Sequence, residues 1–221
     1  MTYTTPSKVR SLLGLDSTQA PDSVLNNFIT YADQIVTRMI SVLVVDEEMS
    51  GTIDGSNTEF YVSHYPIADT DYDKTVDTDE VTVYGWTDSS DPNTKTQLTV
   101  SQVKADIGLI ILETAPTTDY KKITCTYSYY TRKIDWNLVE LASTLYTAYR
   151  FIVSEVLLVP ESWSLGSLKV KLGSRKLYPY HELHREFLNV IDMIRKGYAY
   201  SEAQRYFTHP SEDSTVTVDY E

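Results

Sequence analysis

Two hydrophobic periods divide this chain. Near both ends apolar residues recur every three or four positions, whereas between Gly51 and about Thr131 they recur at every second one. A segment cannot place its apolar residues on one side of a helix and one side of a strand at once, so the ends predict helices and the middle predicts strands. Thr5-Pro6 opens a short helix that stops at Gly14. After Pro21 the apolar residues from Val24 to Leu43 line one broad helical face, and a third helix runs from an N-cap at Asp135 to about Pro160. Tyr178-Pro179 begins a fourth, carrying Leu183, Phe187, Ile191 and Ile194 before Gly197.

The middle region is punctuated differently. Segments rich in β-branched and aromatic residues, at Thr58–Ser63, Glu80–Trp86, Leu98–Val100, Leu109–Leu112 and Lys122–Tyr130, are separated by Gly, Pro, Asp and Asn clusters. The expected class is α+β: a four-helix bundle with an inserted small antiparallel β domain that projects from it. Residues 1–50 and 132–207 form the two parts of the helical framework, 51–131 the insertion and 208–221 an extended tail.

Charge follows the same boundaries. Of the 31 acidic and 19 basic residues, 16 acids and only 3 bases lie in residues 46–119, so the net charge of -12 belongs to the insertion. That balance opposes general affinity for nucleic acid, which rests on cations that neutralise phosphates. No apolar run is long enough for a membrane span, and Met1–Pro6 lacks the basic and apolar pattern of an export signal, so no membrane partner is expected. The single Cys125 excludes an intrachain disulfide; its alternating neighbourhood reads as a buried strand position.

The sharpest local pattern runs from Asp69 to Glu80. Counted from Asp69, side-chain oxygens fall at positions 1, 3, 5, 9 and 12 (Asp69, Asp71, Asp73, Asp77, Glu80), with the Thr75 carbonyl available at position 7, the ligand order of a calcium loop. Crowded carboxylates repel, and a hard dication would hold them together as a structural Ca2+ site. Lys74 stands where such loops carry Gly, and the flanks read as strands, so a solvated acidic turn is the alternative. A second pattern, Lys169, Lys171, Arg175 and Lys176, concentrates cations in a Gly- and Ser-rich loop of an otherwise acidic chain. It is either a contact for DNA or an acidic partner, or a basic turn. In the tail, Val216, Val218 and Tyr220 alternate with polar residues and could add as a strand to another subunit, or fray.

Signals for catalysis are absent. There is no His-Glu-x-x-His, nucleophile elbow, phosphate loop or dinucleotide fingerprint; His181 and His184 read as helix-surface residues and Glu47-Glu48 as solvated charge at a helix end. The chain is not expected to be an enzyme. Eighteen tyrosines against five phenylalanines favour a protein of many contacts, since Tyr offers area with a polar tip.

The series Pro6–Gly14, Asp22–Ile35, a variable insertion, the Ala- and Leu-rich segment 135–158, a Ser/Gly loop at Ser162–Ser167 and a last helix with a loose tail resembles the head-tail connector (adaptor) proteins of tailed viruses. That resemblance implies a connector-type bundle in a structural virion protein at the neck. It further implies a homo-oligomeric ring, of about twelve copies, below the portal protein, extending the channel for viral DNA and docking a neck or tail completion protein. The C-terminal helix and tail would reach the portal, and Lys169, Lys171, Arg175 and Lys176 would face DNA or a neighbour. The alternative is a calcium-stabilised β binding module of another virion or surface protein.

Overall fold

A computed structural model describes residues 2–156, 162–165, 168–171 and 178–200. Helix α1 (Pro6–Leu13) starts after Thr5 in extended conformation and ends at Gly14, whose φ of 65° supplies the left-handed stop that a side chain disfavours. Helix α2 (Asp22–Ile40) buries Leu25, Ile29, Ala32, Val36 and Ile40, the three- and four-residue spacing of its apolar face.

At Ser41 the chain passes from α2 straight into strand β1 (Ser41–Glu48). The Ser41 hydroxyl donates to the Thr37 carbonyl at 2.7 Å and so satisfies part of the helix end. Further strands are β2 (Glu59–Tyr61), β3 (Val81–Trp86), β4 (Lys95–Leu98), β5 (Val100–Lys104), β6 (Leu109–Leu112) and β7 (Lys122–Tyr130). They make two antiparallel sheets, ordered β1-β7-β3-β4 and β2-β6-β5. Their facing sides enclose one core that includes Phe60, Val83, Ile110, Ile123, Cys125 and Tyr127. Cys125 is fully buried on β7, and burial pushes its thiol up to about 12.

Asp135 caps helix α3 (Trp136–Phe151) by accepting from the Asn137 N–H at 2.9 Å; a wider helical turn, Ile152–Val156, follows. An antiparallel hairpin, β8 (Ser162–Leu165) and β9 (Leu168–Lys171), precedes helix α4 (Tyr178–Lys196). A second core joins α2, α3 and α4 through Val36, Leu138, Leu145, Phe187 and Ile191, with Tyr3 and Tyr130 among its members. A third lies between α1 and the start of α2, under Phe151. No helix of the described residues is long and apolar enough to cross a membrane.

The expected four-helix bundle with a small inserted domain is not what forms. The fold is α+β, but four helices share it with seven strands in two packed sheets. The sheet also begins inside the segment assigned to the helical framework. Leu43 keeps the helical spacing of α2, yet the run Ser41-Val42-Leu43-Val44 pairs with Tyr127–Tyr130 instead, because β-branched residues fit a ladder better than a helix end. β7 is nine residues long and reaches the helical core at Tyr130, so the sheet is built into the framework rather than hung from it.

Candidate functional site

The Asp69 loop begins where the two layers meet. Asp69 is fully buried, and both of its carboxylate oxygens accept backbone hydrogen bonds: Oδ1 from Asp71 (3.1 Å) and Tyr72 (2.7 Å), Oδ2 from Lys74 (2.8 Å). Folding the chain around one carboxylate forces Tyr72 and Lys74 into left-handed conformations, with φ of 72° and 71°. Lys74 thus adopts the backbone shape that its sequence position requires, although it is not Gly. Its ammonium lies 3.3 Å from Glu140 on α3, which also pairs with Lys8. Burial works against the ionised Glu140, but these two lysines hold its carboxyl below the ordinary range.

One oxygen from each of Asp69, Asp71 and Asp73 lies within 4.8 Å of the others, with Asp69 buried, Asp71 exposed and Asp73 between. Hard carboxylate oxygens at this spacing are the donors that calcium takes. The remaining predicted ligands are arranged otherwise. Thr75 donates its N–H to Asp73 Oδ1 at 2.7 Å. Asp77 and Glu80 cap one another around the short turn Thr78–Glu80: the Asp77 N–H donates to Glu80 Oε2 (2.9 Å), and the Asp79 N–H to Asp77 Oδ1 (2.9 Å). Glu80 is buried, which raises its carboxyl to about 7, and the charges of Asp77 and Asp71 add to the rise. Burial raises Asp69 as well, against its backbone hydrogen bonds. Three of the six residues therefore form a cluster, Thr75 donates to one of them, and Asp77 and Glu80 cap the turn that follows.

Lys169 and Lys171 lie two positions apart on β9, so the predicted basic loop is in part a hairpin strand. Arg175 and Lys176, and the tail residues Val216, Val218 and Tyr220, lie outside the described residues.

One constellation escaped sequence reasoning. Glu47, read as solvated charge at a helix end, sits on β1 beside His64 (Nδ1 to Oε1, 3.3 Å), accepts the Tyr127 hydroxyl's hydrogen bond and also takes the Ser63 N–H at 3.3 Å. Burial opposes its charge, but these hydrogen bonds lower its carboxyl overall. The members are up to 80 residues apart, and no local spacing announces them. His181 and His184 behave as expected, with His184 against Tyr149 (centroids 4.8 Å) and His181 against Tyr180 (3.9 Å).

Open grooves occur among the described residues. A groove of about 270 Å³ lies between Ile67, Lys74, Asp106, Lys133 and Trp136, and one of about 430 Å³ lies between Arg38, Ser41, Leu43, Tyr72 and Ser128. The first holds a single carboxylate, Asp106, and the second is lined by no histidine or carboxylate. No protein-family model matches the chain, and comparison with curated proteins gives no match.

Proposed function

We propose that this chain is a structural subunit of a viral neck, a head-tail connector that assembles with sister copies into a ring below a portal protein and lines or extends the DNA channel. The observation that carries the reading is the joining of the chain's two ends. Tyr3 and Val36 from one end pack in a single core with Leu138, Leu145, Phe187 and Ile191 from the other, although a β-rich segment of more than eighty residues separates them. The helical framework on which the resemblance to connectors rests is therefore one packed unit, and its α3–α4 connection carries Lys169 and Lys171 on a hairpin strand.

The mechanism is geometric. Ring subunits repeat one heterologous contact until rotation closes it, and tyrosine-rich, partly apolar surfaces serve that purpose. Tyr31, Tyr61, Tyr65 and Tyr198 are all exposed. No bond is made or broken, and the chain is not an enzyme in this reading. The acidic loop is a holding device within it: Asp69, Asp71 and Asp73 would bind Ca2+ to fix a loop anchored on both layers.

Electron microscopy of the protein mixed with the portal of its virus tests the proposal. Closed rings on the portal are expected, and reversing charge at Lys171 and Arg175 should reduce genome retention. Absence of portal-bound rings, together with turnover of any substrate, would overturn it.

A further inference from the structure

The groove of about 430 Å³ opens where α2 ends, β1 begins and the acidic loop passes. Gln34 and Arg38 lie one turn apart on α2, Ser128 on β7 stands opposite Leu43 of β1 in the sheet register, and Thr70 and Tyr72 belong to the loop. Two hydroxyls at the groove are already engaged: Thr37 with Tyr3 (2.9 Å), and Ser41 with the Thr37 carbonyl (2.7 Å). The other polar side chains are not. Gln34, Arg38, Thr70, Tyr72 and Ser128 make no side-chain hydrogen bond and no ion pair among the described residues.

Donors are therefore in excess. Arg38 brings a guanidinium fork, hydroxyls and an amide surround it, and no carboxylate lines the groove, in a chain whose net charge is -12. Polar groups gathered in a concavity without partners of their own are arranged for an acceptor from outside. We propose that this groove binds a carboxylate, held by the Arg38 guanidinium and by the hydroxyls of Tyr72 and Ser128.

One negative charge suits the groove better than two. Burial raises the Tyr72 hydroxyl, the charges of Asp33, Asp69 and Asp71 add to the rise, and Arg38 opposes it. A dianion such as phosphate would face those carboxylates with a single guanidinium to offset them; a monoanion matches that guanidinium, whose planar fork takes carboxylate oxygens in pairs. Leu43 is 65% exposed at the rim, so an acid with an apolar body gains contact that a bare anion would not. A small organic acid and an acidic side chain of a second copy supply the same group, and the test separates them. The inference rests on no part of the ring reading.

Titration of the isotope-labelled full chain with benzoate, in EDTA so that no metal bridges the ligand, is followed by NMR. Saturable shifts are expected at the amides of Tyr72 and Ser128 and at Arg38 Nε–H. Binding should weaken about tenfold in Arg38→Met, less in Arg38→Lys, and should vanish for benzamide, which has the shape without the charge. Arg38 is exposed, so these substitutions disturb no core. Sedimentation velocity then finds the source. Self-association that is lost in Arg38→Met and competed by benzoate assigns the acid to a second copy; a monomer that binds benzoate assigns it to a free acid. Both outcomes support the site. Equal binding of benzamide, tighter binding of inorganic phosphate than of benzoate, or an affinity unchanged in Arg38→Met overturns it. So does a failure of benzoate to saturate a chain that shows no Arg38-dependent self-association.

Discussion

The hydroxyl of Tyr3 stands 3.4 Å from the backbone carbonyl of Asp69. Tyr130, the last residue of β7, donates to the same oxygen at 3.3 Å, and the Tyr3 hydroxyl lies 2.9 Å from that of Thr37 on α2. The first residue of the acidic loop is thus gripped by the N-terminal segment, the central strand and a long helix at once. Burial raises both tyrosine hydroxyls well above their ordinary range, so they act as donors, not charges.

Calcium should raise the melting temperature, and Asp71→Ala should remove the increment. Asp71 is exposed, so this substitution costs little stability without metal. The response should weaken as pH falls, because protons compete with the metal for Asp69, whose carboxyl burial already raises. Thermal melts with and without saturating calcium check this; identical melts would remove metal from the account.

Metal-free stability should fall as pH rises from about 5 to 8. Burial raises Asp33 to about 6, against hydrogen bonds from Ser143 and the Tyr3 N–H, and raises Glu80 to about 7. Both groups bind their protons more tightly folded than unfolded. Their stabilising contribution is complete below the ordinary carboxylate range and is lost as pH climbs through 6 and 7. Glu80→Gln should flatten the upper part of the fall and stabilise the chain at pH 8. Urea denaturation across this range, with and without the substitution, measures it.

Ser143→Ala should destabilise by about 1–3 kcal/mol, because it strips a donor from a fully buried carboxylate. Ser143 on α3 donates to Asp33 Oδ1 on α2, and Tyr3 N–H supplies Oδ2 at 3.1 Å. The loss should be larger at pH 8 than at pH 5, since the hydroxyl favours the ionised form. A cost independent of pH would show that packing, not the hydrogen bond, is what Ser143 provides.

Gly85 lies on the same side of β3 as the core residues Val81 and Val83, where the ring of Tyr120 comes close to the backbone. A Cβ there would lie 2.7 Å from the ring of Tyr120. Gly85→Val should therefore cost about 1–3 kcal/mol by overpacking, and Tyr120→Ala should recover much of that in the double variant. Additive losses in a double-mutant cycle would mean that ring and backbone do not meet.

Much of this architecture was readable before any coordinates. Thr5-Pro6, Gly14, Asp135 and Gly197 mark their helix boundaries because capping is local chemistry, and the segments that became β2 and β3 alternate in burial because each has one side on the core. β1 was not readable. Leu43 extends the helical spacing of α2, and the partner that decides the matter, Tyr127–Tyr130, lies more than eighty residues away. The Leu98–Val100 segment similarly hides two strands, β4 in one sheet and β5 in the other, divided at Thr99. In the acidic loop, ligand order follows from spacing, but spacing does not reveal that Asp77 and Glu80 turn toward each other to close a cap.

The passage from α2 to β1 at Ser41, without an intervening loop, has a mechanical meaning. A loop would absorb a tilt by changing its torsions; here the helix axis and the strand are one continuous lever, and β7 carries its motion across the sheet. A tilt of α2 would therefore pass directly into the regular stretch Ser41–Val44 and from there to β7, which ties the two layers together at this corner.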